Sequence, residues 1–252
     1  MEVRLTIDRG NTAIKGALWG SDGAMLCTLK GDSTRPAADL ARELCRLGGV
    51  EPTGLLTAYC TVVASDRADD LASLEPVCSR IVDLNASTPM PLTIDYRTPA
   101  TLGADRIAAA LGAIAVSGTE RPLLISDIGT AVTYDYVAPG ARYMGGNIAP
   151  GIDLRLRALA AFTDALPAVS PEGGDIPLWG TTTAEAMRSG AVRGVGAELE
   201  YYHRAAGDGT LAVLTGGSAK LLTDSDILTF DYIHDPYLVH KGLYSIIRDN
   251  EK

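Results

Sequence analysis

The sequence predicts an α/β protein made of two similar halves, and three observations carry that prediction. Early β-hairpins give way to alternating helix and strand patterns, and the same programme restarts after Gly118–Pro122. Each half opens with an apolar strand that runs into Asp, one residue and Gly: TIDRGNTAIK at Thr6–Lys15 and LISDIGTAVT at Leu124–Thr133. The two aspartates, Asp8 and Asp127, stand 127 − 8 = 119 positions apart in a chain of 252 residues, close to half its length. One such turn reads as an ordinary hairpin, since Gly and Asn tolerate positive φ. Two, each opening one half, point to a duplicated unit. The expected division is residues 1–118 and residues 119–252.

Taken in order, the first half begins with a β-meander through about Lys30 that turns at Gly20–Gly23. Pro36–Leu47 follows as a helix, with Pro near its start and Leu40, Leu44 and Leu47 on one face. Strand-like Tyr59–Ala64, a helix near Arg67–Leu74 and the strand Arg80–Leu84 come next, then a Pro- and Thr-rich loop from Ser87 to Thr101. Gly103–Val116 is an Ala-rich helix that begins with an acid. In the second half, strands Leu123–Ser126 and Ala131–Val137 are joined by Asp127-Ile128-Gly129-Thr130, and Gly140–Gly146 leads onward. Helices are expected over Ile152–Phe162, Thr183–Ala206 and Asp235–Arg248, and a strand over Leu211–Thr215 that ends in Gly216-Gly217.

Composition narrows the function classes. At 46% hydrophobic and 21% charged, the chain can bury proper cores, and no apolar run approaches the ~18 residues a membrane helix needs. The opening MEVRLTIDRG lacks the layout of a signal peptide, so no membrane partner and a cytoplasmic location are expected. Cys27, Cys45, Cys60 and Cys78 form no CxxC pair, and His203, His234 and His240 show no ligand spacing, which disfavours a disulfide framework or a zinc site. A net charge of −9 argues against a nucleic-acid partner, which needs a basic surface.

Phosphate binding is the chemistry that two Asp-x-Gly turns suit. Glycine lets the backbone approach an anion and turn its N–H groups inward, while Asn and Thr add neutral donors. Aspartate repels phosphate but can hold a cation, or a water on one, that neutralises it. One turn is a weak anion nest; two, brought together, can clamp a triphosphate between the halves. Rival motifs fail: there is no Walker loop, and GVGAEL at Gly194–Leu199 lacks the third glycine and preceding strand of a dinucleotide fingerprint.

Asp8-x-Gly10-Asn11-Thr12, Gly103-Ala104-Asp105-Arg106, Asp127-x-Gly129-Thr130-Ala131 and Gly145-Gly146-x-Ile148-x-Pro150-Gly151 occur in that order, and the set resembles the type III pantothenate kinases. Phe162-x-x-x-Leu166-Pro167, Gly180–Gly190, Thr215-Gly216-Gly217 and Asp235-Pro236 to Gly242-Leu243 extend the resemblance over nearly the whole chain. It implies the sugar kinase/Hsp70/actin superfamily: two ribonuclease-H-like (actin-like ATPase) halves, each a mixed five-stranded sheet with helices, and a cleft between them. It also implies phosphorylation of pantothenate by ATP to 4′-phosphopantothenate, the first step of coenzyme A biosynthesis. Mg²⁺ with the nucleotide, a monovalent cation (K⁺ or NH₄⁺) and a homodimer come with the resemblance.

Carried over by position, Asp8, Arg9, Gly10, Asn11, Thr12, Ala13, Ile14 and Lys15 match the first nucleotide-phosphate loop, and Thr130 a second ATP contact. Asp127 matches the monovalent-cation ligand and Asp105 the catalytic base. Tyr96, Gly103, Ala104, Asp105 and Arg106 match pantothenate contacts, and Thr183 one that reaches across the dimer interface.

Plainer roles compete with these. Asp105 suits a helix N-terminus, whose dipole favours its ionised form, Arg106 can be a surface arginine and Tyr96 a half-buried aromatic. Thr183 can cap the helix that follows, Lys15 can be a solvated strand residue, and Gly145, Gly146 and Gly151 can be turn formers. Gly216-Gly217 could give adenine a close backbone approach. Arg9 departs from the family, which has an apolar residue there. Strand alternation from Val3, Leu5 and Ile7 aims it at the core, so either the turn rotates it to solvent, the favoured reading, or it adds a phosphate contact. Two further functions stay open: the same fold acting on another small alcohol, and a non-enzymatic accessory regulator. The intact GADR and GGNIAPG motifs disfavour the first, and the retention of both aspartates disfavours the second.

Overall fold

The computed structural model describes residues 3–250. The first two positions of the signal-peptide reading and the last two of the expected second half lie outside the described residues. The chain forms two compact units, Met1–Gly118 with Tyr237–Lys252, and Thr119–Pro236.

The first unit contains β1 (Arg4–Arg9), β2 (Ala13–Trp19), β3 (Met25–Asp32), α1 (Ala37–Gly48), β4 (Leu55–Thr61), α2 (Arg67–Leu74), β5 (Cys78–Asp83), β6 (Thr93–Ile94) and α3 (Ala104–Ser117). Its sheet runs β3-β2-β1-β4-β5. The β1–β2 and β2–β3 pairs are antiparallel, and β1–β4 and β4–β5 are parallel. All six residues of β1 are buried, as expected of the central strand of a sheet covered on both faces. Leu5, Ile7, Ile14, Leu40, Leu44 and Tyr59 share one core cluster beneath α1. β4 starts four residues before the expected Tyr59, just after Gly54 at φ +69° breaks the preceding loop.

The second unit contains β7 (Leu123–Asp127), β8 (Ala131–Ala138), β9 (Arg142–Pro150), α4 (Ile152–Phe162), α5 (Thr183–Ala206), β10 (Leu211–Thr215), α6 (Ala219–Thr223) and β11 (Tyr232–His234). Its strands lie in the order β11-β10-β7-β8-β9. β7–β8 and β8–β9 are antiparallel, while β7–β10 and β10–β11 are parallel. Both units therefore place their first strand centrally, the next two antiparallel on one side and the last two parallel on the other. The duplication suggested by two Asp-x-Gly turns is a duplication of strand topology. β9 escaped the sequence reading because Gly145 (φ 128°) and Gly146 break the strand pattern, and the ladder shifts register at Tyr136/Val137.

One boundary is corrected. α7 (Leu238–Asp249) belongs to the first unit, not to the second half that its position in the chain suggested. It lies against α3 with almost no side chain between the helices. A Cβ at Gly242 would overlap the carbonyl of Ala108, and one at Gly112 the carbonyl of Leu238. Leu238, Leu243 and Ile246 are fully buried beside this contact. Gly242→Ala is expected to force the helices apart and cost about 3 kcal/mol in urea unfolding. An unchanged unfolding midpoint would refute the backbone-to-backbone contact.

Candidate active site

The first Asp-x-Gly turn joins β1 to β2, and the Gly10 N–H closes it on the carbonyl of Ala13 at 2.9 Å. Asp8 stands at the carboxyl end of β1 with Lys15 opposite it on β2 and Cys60 opposite it on β4. The three side chains share one face of the sheet. Lys15 Nζ lies 3.7 Å from Asp8 Oδ2, and Cys60 Sγ–H donates to Asp8 Oδ1 at 3.6 Å. Burial pushes the Cys60 thiol well above its ordinary pKa, and the charges of Asp8 and then Asp105 push it further. Asp105, in the first turn of α3, therefore stands within electrostatic reach of the same thiol as Asp8. The fold thus brings Asp8 and the expected base within electrostatic reach of one buried neutral group.

Asp105 Oδ1 accepts the backbone N–H of Arg106 at 2.8 Å, and a Cβ at Gly103 would overlap that oxygen. The glycine of GADR thus makes room for the carboxylate, which supports the helix start while remaining half-buried. Arg106 is buried, which rules out the plainer alternative of a surface arginine, and its guanidinium lies 6.0 Å from the ring centroid of Tyr96. That cation–π contact ties together two of the residues matched to pantothenate.

Arg9 is also corrected. It is 2% exposed instead of turned to solvent. Its Nε and Nη2 donate to the two oxygens of Asp70, Nη2 also to the Arg35 carbonyl at 2.8 Å, and Nη1 to the Ser33 carbonyl at 2.5 Å. Burial alone would lower its pKa, but the hydrogen bonds and charge of Asp70 outweigh that and raise it. Its side chain serves the protein interior, which leaves its backbone as its contribution to the turn.

The second turn joins β7 to β8, and Gly129 N–H closes it on the carbonyl of Ala131 at 2.9 Å, as Gly10 closes the first. Two distant glycines press on it. Gly151 N–H donates to the Thr130 carbonyl at 3.0 Å, and a Cβ there would overlap the carbonyls of Gly129 and Thr130. A Cβ at Gly216, which has φ +95°, would overlap Asp127 Oδ1 and the backbone of Ile128. Gly151 is therefore a packing residue of this turn, more than a turn former. Asp127 is half-buried and Thr130 exposed. A carboxylate in a cradle lined by backbone and glycine offers oxygen donors, which fit a hard cation. Among the described residues no group of three or more His, Cys, Asp or Glu could hold a metal ion. A single carboxylate suits a cation shared with phosphates better than a protein-caged one.

Thr183 is the exposed first residue of α5, but the cap is its neighbour. Thr182 accepts from Glu185 N–H at 3.2 Å, and Glu185 accepts from Thr182 N–H at 3.3 Å, a complete capping box. Sequence reasoning missed Cys60, Tyr59, Asp70 and His240. Cys60 alone had a usable signal, as an inward residue of an expected strand.

A central strand ending in an Asp-x-Gly turn, repeated in each of two like-folded units, defines a duplicated mixed α/β fold. The chain is similar over 98% of both chains to a Baf family transcriptional activator from Campylobacter jejuni (TM-score 0.63, 19% identity). It is also similar over 99% of its length and 96% of the other's to the 2-hydroxyisocaproyl-CoA dehydratase activator of Clostridium difficile, solved with ADPNP (TM-score 0.61, 13% identity). At those identities the likeness concerns the fold. A family profile described as type III pantothenate kinase matches residues 4–205. A type III pantothenate kinase of Phocaeicola vulgatus is 33% identical over 252 residues, covering 99% of this chain and 100% of that protein. The chain belongs to the type III pantothenate kinase family.

Beneath Asp8, His240 of α7 is buried with Nδ1 3.0 Å from Thr6 Oγ1, and that oxygen accepts from Trp19 Nε1 at 2.9 Å. Burial holds the imidazole near pKa 4, well below its ordinary 6.5; Asp8 opposes the lowering and Lys15 adds to it. Between pH 6.5 and about 4 the unfolded chain binds a proton here that the folded chain excludes, so stability is present above that window and falls as pH drops through it. The shift corresponds to ~3 kcal/mol. Thermal unfolding at pH 7 and pH 4.5 is expected to show a smaller loss in His240→Gln than in the parent; equal losses would remove this residue from the acid response.

Proposed function

We propose that the chain transfers the γ-phosphoryl group of ATP to the primary hydroxyl of pantothenate, giving 4′-phosphopantothenate and ADP, the first step of coenzyme A biosynthesis. The observation that carries this reading is the gathering of Asp8 and Asp105 around Cys60 in a chain of this family. Phosphoryl transfer passes through a loose transition state, so donor placement and charge matter more than a strong base. Backbone and side-chain donors of Gly10, Asn11 and Thr12, with Lys15, bind phosphate in the first unit, and Thr130 is an ATP contact of the second. Asp105 orients the attacking hydroxyl and takes its proton late, as the new P–O bond forms and the bond to the ADP oxygen breaks. Tyr96, Gly103, Ala104 and Arg106 bind pantothenate, with Arg106 suited to bidentate pairing with its carboxylate. Mg²⁺ with the nucleotide, and K⁺ or NH₄⁺ at Asp127, would neutralise phosphate charge.

A homodimer fits the second unit's surface. Phe162, Trp179 and Ile148 are 88%, 81% and 65% exposed, and a 500 Å³ groove lined by Leu159, Phe162, Met187 and Ala191 opens between α4 and α5. Apolar area of this kind marks an interaction face. The exposed Thr183 stands at the start of the same α5, as a contact reaching a second copy requires. Four free cysteines suit a reducing compartment such as the cytoplasm, and no helix among the described residues is long and apolar enough to cross a membrane. The charge of −9 again favours a small-molecule substrate over nucleic acid.

The deciding experiment is a pantothenate-dependent ATP turnover assay with and without potassium. The parent should turn over, Asp105→Asn should lose about 10²–10⁴-fold in kcat with ATP affinity little changed, and Asp127→Ala should blunt the potassium response. Turnover on other alcohols but not on pantothenate would reassign the substrate, and near-normal Asp105→Asn activity would move the base elsewhere. Sedimentation should give twice the chain mass for the parent and the single-chain mass for Phe162→Asp; a monomeric parent would end the dimer proposal.

A further inference from the structure

The two turns hold their middle residue by different means. Ile128 is fully buried in a cluster with Leu124, Val132 and Ile152, and its backbone is fixed from both sides. Its N–H donates to the Thr215 carbonyl at 2.9 Å, and its carbonyl accepts from Ser218 N–H at 2.9 Å. Arg9 occupies the same place in the first turn. Its carbonyl is held likewise, by Val62 N–H at 3.2 Å and the Thr61 hydroxyl at 3.3 Å. A guanidinium cannot anchor by apolar burial, because an unpaired buried charge is strongly unfavourable. Asp70 of α2 supplies what is missing: a carboxylate on Nε and Nη2, itself buried and accepting the Tyr59 hydroxyl at 2.7 Å.

Just beyond Arg9, Asn11 and Thr12 are exposed, and a 460 Å³ cleft lined by Asn11, Thr34, Asp66 and Asp69 opens beside them. The turn is thus pinned from its strand ends, by buried Ile14 on one side and by Arg9 on the other. We propose that Asp70 is a positioning residue for nucleotide binding. Through the forked pair with Arg9 it anchors the first turn, the task that the Ile128 side chain performs in the second. The proposal rests on the phosphate-binding role given above to Gly10–Thr12. Donors that grip phosphate must be held to within about 0.5 Å, and a bidentate guanidinium pair restrains orientation as well as distance.

The test measures KM for ATP and for pantothenate, kcat, and the affinity for a non-hydrolysable ATP analogue by calorimetry. In Asp70→Asn, ATP KM and the analogue Kd are expected to rise about ten-fold, with pantothenate KM within about two-fold of the parent. A purely structural Asp70 would lower the active fraction, and so kcat, without moving either KM. Tyr59→Phe, which keeps the ion pair, should raise ATP KM about three-fold and remains informative if Asp70→Asn does not fold. Arg9→Ile with Asp70→Leu, which copies the apolar anchor of the second turn, should bring ATP KM back to within about three-fold of the parent. The proposal is overturned if folded Asp70→Asn or Tyr59→Phe binds the analogue as the parent does, or if the folded double variant is not rescued. Thr12→Val separates the two readings. If it weakens the analogue while Asp70→Asn does not, only the positioning role falls. If it leaves the analogue affinity unchanged, the phosphate role of the turn falls and the positioning role with it.

Discussion

A carboxylate at the carboxyl end of a central strand is the constraint around which each unit is built. Asp8 is the penultimate residue of β1 and Asp127 the last of β7, and in both cases strands pair on either side of the one that carries the acid. Such a position exposes the end of the backbone ladder but leaves a charged side chain among apolar neighbours, so the surroundings have to be specified closely. Around Asp8 the specification comes from side chains: Lys15 across one ladder and Cys60 across the other. Around the second turn glycines contribute, since Gly216 and Gly151 let two remote segments close directly on it. This explains why glycine motifs far apart in the chain accompany the two turns. They are the walls of the second one.

Much of this was legible in sequence, and the division is physical. Strand and helix periodicity located most of the large elements, because amphipathic spacing over ten or more residues is a local property. The repeated turn located the duplication, because topology repeated along with it. What stayed hidden depends on tertiary contact. α7 is drawn back to the first unit by close approach at Gly112 and Gly242, and no local pattern reveals which helix a glycine faces. β9 was masked by glycines that its ladder tolerates. Arg9 was judged by its polarity, which argues for solvent. Its partner Asp70 lies 61 residues away in the chain and could not be paired with it by spacing. In the same way spacing alone did not show the burial of Arg106 or its contact with Tyr96.

The two anchors also separate stability from geometry. A buried ion pair gains little net stability over apolar residues of similar volume, because desolvation offsets most of the attraction. Ile128 shows that an apolar side chain can occupy the equivalent place within this same chain. The Arg9–Asp70–Tyr59 network is therefore better explained by what it constrains than by what it stabilises. It reaches the carbonyls of Ser33 and Arg35 as well, so one guanidinium joins β1, the β3–α1 connection, α2 and, through Asp70, β4 at the edge of the first turn.

The floor beneath Asp8 supports the same division of labour. His240 is neutral above pH 4 or so because it is buried, and the Cys60 thiol stays protonated because burial and two carboxylates oppose its ionisation. Neither group carries charge under neutral conditions, so the interior side of Asp8 does not cancel its negative charge. The nearby cation is Lys15, whose side chain is 44% exposed and lies toward the mouth of the turn. The field of Asp8 is thus directed outward, toward solvent, and is weakly screened from below where the dielectric is low. A strand-end aspartate over a neutral floor suits a cation, and backbone N–H groups beside it suit an anion. Such an arrangement matches a ligand that brings both signs of charge.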